Sequence, residues 1–554
     1  MKTELQVLLH KALQEARNQN ELKSSELPPV ILEVPKRKGQ GDIATTVAMS
    51  VASKEGRNPK EIAEIIVKHL TGHEDIVDRV EVAGPGFLNF TMTRSFWYDV
   101  LLEIEEKGET FGFSEIGKNE SVQVEFVSAN PTGPLHVGHG RGAVVGDVVG
   151  NLLSMTGHRV DREYYTNDVG TQMDILGKST YLRYEEQLGR EVSFPNEFYQ
   201  GEYIGKIARQ FIKREGNRFM NQPESVWLPV FRKGASDEIL KNIQVDLNHF
   251  GVLFDRWFSE QELYQKGEIE EAFSDLRKKG LIYEKDGAVW LATSRLGDDK
   301  DRVVVRENGQ QTYFASDIAY HRNKLRRGYK RIINIWGADH HGYIPRMKAM
   351  VQALGYPSEI LEIILVQLVN LIREGKPVTM STRAGEFVPL REVLEEVGSD
   401  VARFFFLMRR SDSPLDFDLD LAKKQSNENP VFYVQYAHAR LCSVFRQAQE
   451  KGVPILSSEG VHLNRLDLPE EFGLMKQLAL YPGIVEGSAL SLEPHRLTFY
   501  LQELASQLHQ FYFNHRIITP DLELTQARLF FMKCVQMVIQ NALKILGVQA
   551  PERM

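Results

Sequence analysis

Between residues 122 and 164 the apolar residues change period from two to about 3.6 and back, and that change restricts the chain to folds built on a parallel sheet. Val122, Val124 and Phe126 alternate with Gln123 and Glu125, which is strand spacing. After a loop, Val144, Val145, Val148, Val149, Leu152 and Leu153 mark one face of a helix, and Gly157 is placed to cap it. A second strand around Val160 to Tyr164 completes a βαβ unit. The pattern recurs downstream, where Arg331-Ile-Ile-Asn-Ile-Trp336 reads as a short apolar strand and Gly337-Ala-Asp-His-His-Gly342 as a polar loop before a helix from about Ile344.

The flanks have a different texture. Leu5, Leu8, Leu9, Ala12 and Leu13 recur at helical spacing, and a small α+β module follows, with a turn at Gly39-Gln-Gly-Asp42 and a turn running into a strand at Ala83-Gly-Pro-Gly-Phe-Leu-Asn-Phe90. Residues 170–300 read as a largely helical insertion, and Val303 to Gln310 carries the Asn-Gly signal of a tight hairpin. From about 395 the pattern is almost wholly helical; Tyr433, Tyr436, Ala437, Leu441 and Val444 share one face, and the last helix runs to about Leu546 before Gly547. The chain of 554 residues is too long for one core. Three domains are expected, at 1–115, 116–395 and 396–554. Two cysteines, Cys442 and Cys534, exclude a disulfide framework or a multi-cysteine zinc site and fit a reducing cytoplasm. No secretory leader and no apolar run near the roughly 20 residues of a bilayer span is read, so no membrane is expected. A net charge of −8 leaves any nucleic-acid binding to local patches.

The chemistry lies in Ser128-Ala-Asn-Pro-Thr-Gly-Pro-Leu-His-Val-Gly-His139. Two histidines three apart, where a strand hands over to a helix, suit an anionic ligand, because the helix start offers unpaired N–H groups and partial positive charge. His136 and His139 can donate hydrogen bonds to oxygens on which charge grows during attack at phosphorus, and Gly138 lets a ligand lie against the backbone. Three other readings compete: two ordinary histidines, a metal pair lacking a third ligand, and a dinucleotide turn at Gly138-His-Gly-Arg-Gly-Ala143 with Asp161 at ribose distance. The last is disfavoured, since about eleven residues separate Phe126 from Gly138, whereas the dinucleotide turn follows its strand at once.

Glu125-Phe-Val-Ser-Ala-Asn-Pro-Thr-Gly-Pro-Leu-His-Val-Gly-His139 resembles the signature of class I aminoacyl-tRNA synthetases in its arginyl form, of bacterial type. Residues 83–90, Thr312-Tyr-Phe-Ala-Ser-Asp-Ile-Ala-Tyr-His321, Gly337 to Gly342, Asn427-Glu-Asn-Pro430 and Ala550-Pro-Glu-Arg-Met554 resemble the same family in the same order. The resemblance implies a multidomain α/β architecture, with a Rossmann-type catalytic domain carrying an insertion, a small N-terminal α+β domain and a C-terminal all-α bundle. It also implies ATP-dependent attachment of L-arginine to tRNA(Arg) through arginyl-adenylate, with ATP as a substrate accompanied by Mg²⁺, no protein-borne metal site, and a cytoplasmic monomer. His136 and His139 are then the phosphate-holding pair, Gly138 faces adenine, and Gly337, Asp339 and Met380 contact ATP. Arginine needs acceptors, since a guanidinium offers five donors and accepts nothing. The family's Tyr-x-x-x-Asp pattern falls on Tyr313 and Asp317, and Glu125, Ser128 and Asn130 match positions holding the amino and carboxylate end. Read without the family, Asp317 is a helix N-cap, Glu125 a solvent-facing strand residue and Asn130 a turn residue.

For tRNA, the resemblance points to Phe87 as a stacking platform, Asn89 as a base-edge reader, and Tyr436, His438 and Arg440 near the anticodon-binding surface; packing roles compete at each. Lys36-Arg-Lys38 is read as a phosphate contact or a solvated run. A metal phosphoesterase, a small-molecule nucleotidyltransferase and a non-catalytic RNA-binding paralogue are the remaining alternatives, the last favoured only by one departure. The family's mobile Lys-Met-Ser-Lys-Ser loop is here Val378-Thr-Met-Ser-Thr-Arg-Ala-Gly385, with Thr379 and Thr382 at both lysine positions. Ser381 keeps its place, and Arg383, with Lys376, is assigned the missing charge; the competing reading of 378–385 is a simple turn with weakened catalytic help. Arg383→Ala should slow ATP–pyrophosphate exchange on the order of tenfold or more; an unchanged exchange rate would remove that assignment.

Overall fold

The computed structural model describes residues 2–24, 26–35, 39–378 and 388–554. Met380, Ser381 and Arg383, with Thr379 and Thr382, lie outside the described residues, as does Lys36-Arg-Lys38. The chain divides into two compact units.

One unit comprises Met1–Phe111, Arg440–Tyr481 and Ser506–Val538. Its first helix, Lys2–Asn18, turns Leu5, Leu9, Ala12 and Leu13 inward, as their spacing requires. Strands β1 (Leu32–Glu33), β2 (Ile43–Thr45), β3 (Val77–Ala83) and β4 (Phe87–Met92) pair antiparallel in the order β1-β2-β4-β3. The turn before β2 needs glycine, because Gly41 has φ +76° and a Cβ there would meet the Phe90 carbonyl oxygen at 2.7 Å. Among the helices, buried Glu471 accepts from Arg528 Nε at 2.9 Å, and Arg528 also donates to the Arg516 carbonyl at 2.7 Å. The charges are thus satisfied where water cannot reach.

The other unit comprises Gly112–Ala439, Pro482–Ala505 and Ile539–Met554. Its centre is a parallel sheet of β5 (Ser121–Glu125), β6 (Arg159–Thr166), β7 (Arg256–Ser259), β11 (Arg331–Gly337) and β12 (Leu361–Val366), in the order β12-β11-β5-β6-β7. From β5 the chain winds outward through β6 and β7, then returns to place β11 on the opposite side of β5. The order therefore reverses between β5 and β11, and a crevice at the carboxyl ends of these two strands is the place where such sheets bind ligands. The helix Val137–Met155 crosses from β5 to β6. It is buried on nearly all sides rather than on one face, and Gly146 is required because a Cβ would lie 2.2 Å from the Phe126 ring. Gly157, with φ +80°, closes its end as expected.

Two local readings change, while the Asn-Gly turn forms as expected. The helical insertion is Thr171–Gln187, Glu202–Glu215 and Glu224–His249; β7, which falls inside the range read as insertion, belongs to the central sheet. Its four residues are too short for a periodicity to separate from the surrounding helices. Strands β8 (Ile282–Lys285), β9 (Ala288–Leu291) and β10 (Arg302–Val305) form a small antiparallel sheet, and the Asn308-Gly309 turn after β10 closes with Gly309 N–H on the Arg306 carbonyl at 2.9 Å. The stretch after 395 is not wholly helical, since β15 (Leu415–Asp418) pairs parallel to β13 (Val369–Arg373), which also pairs with β14 (Lys376–Pro377). The last helix, Leu522–Leu546, is long and apolar enough to cross a bilayer by length and composition, but most of its apolar residues are buried inside the protein.

Two buried guanidiniums brace this unit. Arg141 donates to the carbonyls of Gln367, Ser413 and Arg410 at 3.0, 2.8 and 2.7 Å. Arg403 donates to the Leu546 and Phe250 carbonyls at 2.9 and 3.0 Å and pairs with Asp147. Gly547 has φ +65°, and a Cβ there would lie 2.3 Å from an Arg403 nitrogen. Arg403→Met should leave buried Asp147 to the 3.7 Å contact with Arg162 and destabilise the protein by about 2–4 kcal/mol. Gly547→Ala should act in the same direction, and unaltered denaturant midpoints in both variants would refute the bracing role.

Candidate functional site

The site begins where β5 ends. Val127 (φ +66°) and Ser128 (φ +43°) both adopt left-handed backbone, and Ser128 N–H bonds the Phe126 carbonyl at 2.9 Å across a three-residue turn. A β-branched residue in that region is strained, so the surroundings must hold it. Ser128 Oγ donates to Glu125 Oε1 at 3.0 Å and accepts from Tyr165 N at 3.1 Å; Tyr164 OH donates to the Ala129 carbonyl at 2.9 Å. Further along, Asn130 Nδ2 donates to Gln172 Oε1 at 2.7 Å, and Tyr203 OH to the Thr132 carbonyl at 2.7 Å. Ser128 and Asn130 therefore fix the loop as well as border the site, and Asn130 is more than a turn residue.

The loop delivers two imidazoles to the start of the helix Val137–Met155. His136 is its N-cap: His136 Nδ1 accepts from Gly138 N at 3.1 Å, and His139 Nδ1 accepts from His136 N at 3.2 Å. The rings stack with centroids 3.7 Å apart. Gly138 makes room for this arrangement, since a Cβ would meet the His136 ring at 3.0 Å. Burial lowers the pKa of both, that of His139 to about 3, with His136 adding to the effect. Each ring is neutral at pH 7, with Nδ1 occupied as an acceptor, so the proton resides on Nε2. Two N–H donors and the helix start thus share one small region. A cleft of about 1470 Å³ opens beside it, with Asn130, Thr132, His136 and His139 on one wall and Tyr199 and Tyr203 of the insertion on another.

A second group gathers acid. Glu125 is buried rather than solvent-facing; Lys324 donates to its Oε2, and Lys324 is itself fully buried. Asp317 is not an N-cap, because the helix Tyr313–Arg326 begins earlier, with Thr312 in that position. Its carboxyl is pushed up to about 7 by burial and by the charges of Glu260 and Glu125, against the opposing pull of Arg346 and Lys324. Glu260 follows β7 directly. It accepts from Ser316 Oγ at 2.6 Å, its Oε2 is buried without a hydrogen-bond partner, and burial raises its pKa. Tyr313, at the first position of the same helix, is 61% exposed. The pocket has an excess of carboxylate and an open aromatic at its edge. Glu260 and Lys324 escape a sequence reading: Glu260 because β7 is hidden inside the apparent insertion, Lys324 because a lone lysine on a helix reads as solvated.

Gly337 ends β11 and Asp339 lies in the loop that follows, its carboxylate exposed and able to swing toward Gly337. Two of the residues assigned to RNA are placed differently from expectation. Asn89 is buried within β4, paired with Ala44 and Glu81, and presents no edge to a base. His438 is buried, its Nδ1 bonded to the Pro551 carbonyl at 2.9 Å, because the face of the helix Pro430–Glu450 on which it lies packs inward. Phe87, Tyr436 and Arg440 are partly exposed, and Arg440 lies over the Tyr512 ring at 4.7 Å.

Residues 104–406 match the family described as tRNA synthetases class I (R), catalytic domain; residues 3–92 match the arginyl tRNA synthetase N terminal domain, and 434–554 the DALR anticodon binding domain. The chain is 53% identical to an arginine–tRNA ligase of Citrifermentans bemidjiense and 52% identical to one of Syntrophotalea carbinolica, each over 100% of both chains. The chain belongs to the arginyl-tRNA synthetases. Among solved structures, the arginyl-tRNA synthetase described as putative from Campylobacter jejuni is 37% identical, with a TM-score of 0.77 over 83% of this chain and 100% of that one. That of Thermus thermophilus, at 22% identity, shares the fold with a TM-score of 0.77 over the whole of both chains. For an arginyl-tRNA synthetase, a pocket overloaded with carboxylate is the feature to examine by titration. Carbon-detected NMR of Asp317 should give a midpoint of about 7 in the ligand-free enzyme, and Glu260→Gln should move it toward the ordinary range near 4. A midpoint near 4 in the unsubstituted protein would refute the crowding.

Proposed function

We propose that arginine attachment to tRNA(Arg), the reaction of this family, runs here with the acidic pocket holding the amino acid and the imidazole pair holding ATP. The supporting observation is the surplus of negative charge around Asp317, which a guanidinium relieves. Asp317, Glu260 and Tyr313 accept from the guanidinium; Glu125, with Ser128 and Asn130, takes the amino and carboxylate end. The arginine carboxylate oxygen attacks the α-phosphorus of ATP, and the bond to the departing pyrophosphate breaks. His136 and His139 donate Nε2–H to phosphate oxygens as charge moves onto them, while Gly138, Gly337, Asp339 and Met380 border the nucleoside. A ribose hydroxyl at the tRNA end then attacks the arginyl carbonyl, and AMP leaves.

ATP enters as its Mg²⁺ complex, the ion held chiefly by phosphate oxygens. Ser381 and Arg383, helped by Lys376, supply contacts to the departing pyrophosphate. The division of labour follows the domains 1–115, 116–395 and 396–554: the outer two meet tRNA through Phe87, Tyr436 and Arg440, while Asn89 and His438 support them from within. One chain contains every group this scheme needs, which suits a monomer, and two buried free cysteines suit the cytoplasm.

The sign of the pH effect is fixed by Asp317. A bound cation favours the ionised carboxylate, so binding expels a proton wherever the free site is protonated, and affinity falls as pH drops below about 7. Arginine should bind about tenfold more weakly at pH 6 than at pH 8. Asp317→Asn should flatten that dependence at a lower affinity. His139→Asn should leave arginine binding intact and reduce ATP–pyrophosphate exchange by about two to three orders of magnitude. A pH-independent arginine affinity in the unsubstituted enzyme would sink the pocket assignment.

A further inference from the structure

Three neighbouring strands present polar side chains at one level. Asn334 of β11 is in register with Glu125 of β5, and Glu125 with Glu163 of β6. All three are buried, at 0%, 6% and 1% exposure, and Gln123 of β5, buried as well, donates to Glu163 at 2.8 Å. The helix Tyr313–Arg326 covers them. Lys324 Nζ donates to Glu125 Oε2 and, at 2.9 Å, to Asn334 Oδ1. Asn334 Nδ2 lies 3.0 Å from His321 Nε2, and His321 Nδ1 lies 2.9 Å from the Asp317 carbonyl. A carbonyl only accepts, so Nδ1 carries the proton and Nε2 accepts from Asn334. The result is one unbroken chain of donors and acceptors from the Asp317 backbone through His321, Asn334 and Lys324 to the Glu125 carboxylate. Lys324 has no exposed surface and cannot touch a substrate; it also lies 4.4 Å from the Tyr320 ring, whose hydroxyl donates to Glu163 at 2.6 Å.

We propose that Lys324 is a positioning residue that, through Asn334 and His321, fixes the Glu125 carboxylate relative to Asp317 and so sets the length of amino acid that fits between them. The proposal rests on the reading that Glu125 and Asp317 receive the two cationic ends of arginine. A flexible Glu125 would still attract an ammonium group, but at no fixed distance from the guanidinium pocket. Held by Lys324 on one oxygen and Ser128 on the other, it has one orientation. Lys324 also offsets part of the charge that gathers where Glu125, Glu163 and Asp317 converge, leaving the pocket attractive to a cation.

The test is calorimetric binding of L-arginine and of its desamino analogue to the full-length protein. The unsubstituted enzyme should prefer arginine on the order of tenfold or more, the worth of a charged hydrogen bond. Lys324→Met should bring the two affinities within about twofold to threefold of each other while ATP affinity stays unchanged, and Lys324→Arg should restore part of the preference. Asn334→Asp, nearly isosteric, draws Lys324 away from Glu125 and should erode the preference in the same way if Lys324→Met does not fold. Equal weakening of both ligands, or an intact preference in Lys324→Met and Asn334→Asp, would overturn the positioning role. Should Glu125→Gln itself leave the preference intact, the placement of the amino end at Glu125 fails, and the proposal with it.

Discussion

Burying ionised groups in the middle of a sheet leaves little freedom to whatever packs against it. Glu163 accepts from Gln123 and Tyr320 and pairs with Arg327, and Glu125 pairs with Lys324, so the helix Tyr313–Arg326 can dock only where its cations meet both acids. Moving it by one residue would strand charges in low dielectric at a cost of several kcal/mol each. Arg327 holds Glu163 below its ordinary pKa even though burial pulls the other way. The first turns of the same helix carry Tyr313 and Asp317, so the ion pairs near its end determine where the acidic pocket lies.

The loop after β5 depends on a comparable constraint. Its strained turn would relax if Ser128 were not held from both sides and if Tyr164 and Tyr203 did not fasten the carbonyls of Ala129 and Thr132. Tyr164 comes from β6 and Tyr203 from the insertion, so the loop that delivers the imidazoles is tied to the central sheet on one side and to the facing wall of the cleft on the other. The hydrogen bonds that hold the strained turn also hold the start of the helix on which the rings stack 3.7 Å apart.

Much of the catalytic half was legible in the chain because its signals are periodic. Alternation at 122–126, the apolar run at 144–153 and the strand at 331–336 specify three of the elements around the crevice, and Gly157 and Gly309 stand where backbone sterics require glycine. What was not legible depends on contacts distant in sequence. β7 is four residues long, so only its pairing with β6 distinguishes it from the helices around it, and Glu260 behind it goes unseen. Glu125 reads as an outward residue of an alternating strand, yet both faces of a central parallel strand are covered. Asn89 and His438 fail for the converse reason: polar residue types suggest a surface, and only packing shows them buried.

Neutrality of the imidazole pair has a consequence for how phosphate charge is met. Two rings in van der Waals contact over a helix start cannot both be protonated without repelling each other and the positive end of the helix, and burial adds to that penalty. They contribute directed donors, not charge. The two family lysine positions are Thr379 and Thr382 here, so neither the imidazole pair nor those positions bring a lysine to the triphosphate. In the proposed reaction, charge compensation therefore devolves on the magnesium that accompanies ATP and on Arg383 helped by Lys376, and the arginine suits a site where geometry is already fixed, because a guanidinium stays protonated at every working pH and can bind two phosphate oxygens at once. The division is physically coherent: the rigid part of the site supplies orientation through neutral donors, and the charge that must shift as the α-phosphorus bond breaks arrives with groups outside the sheet.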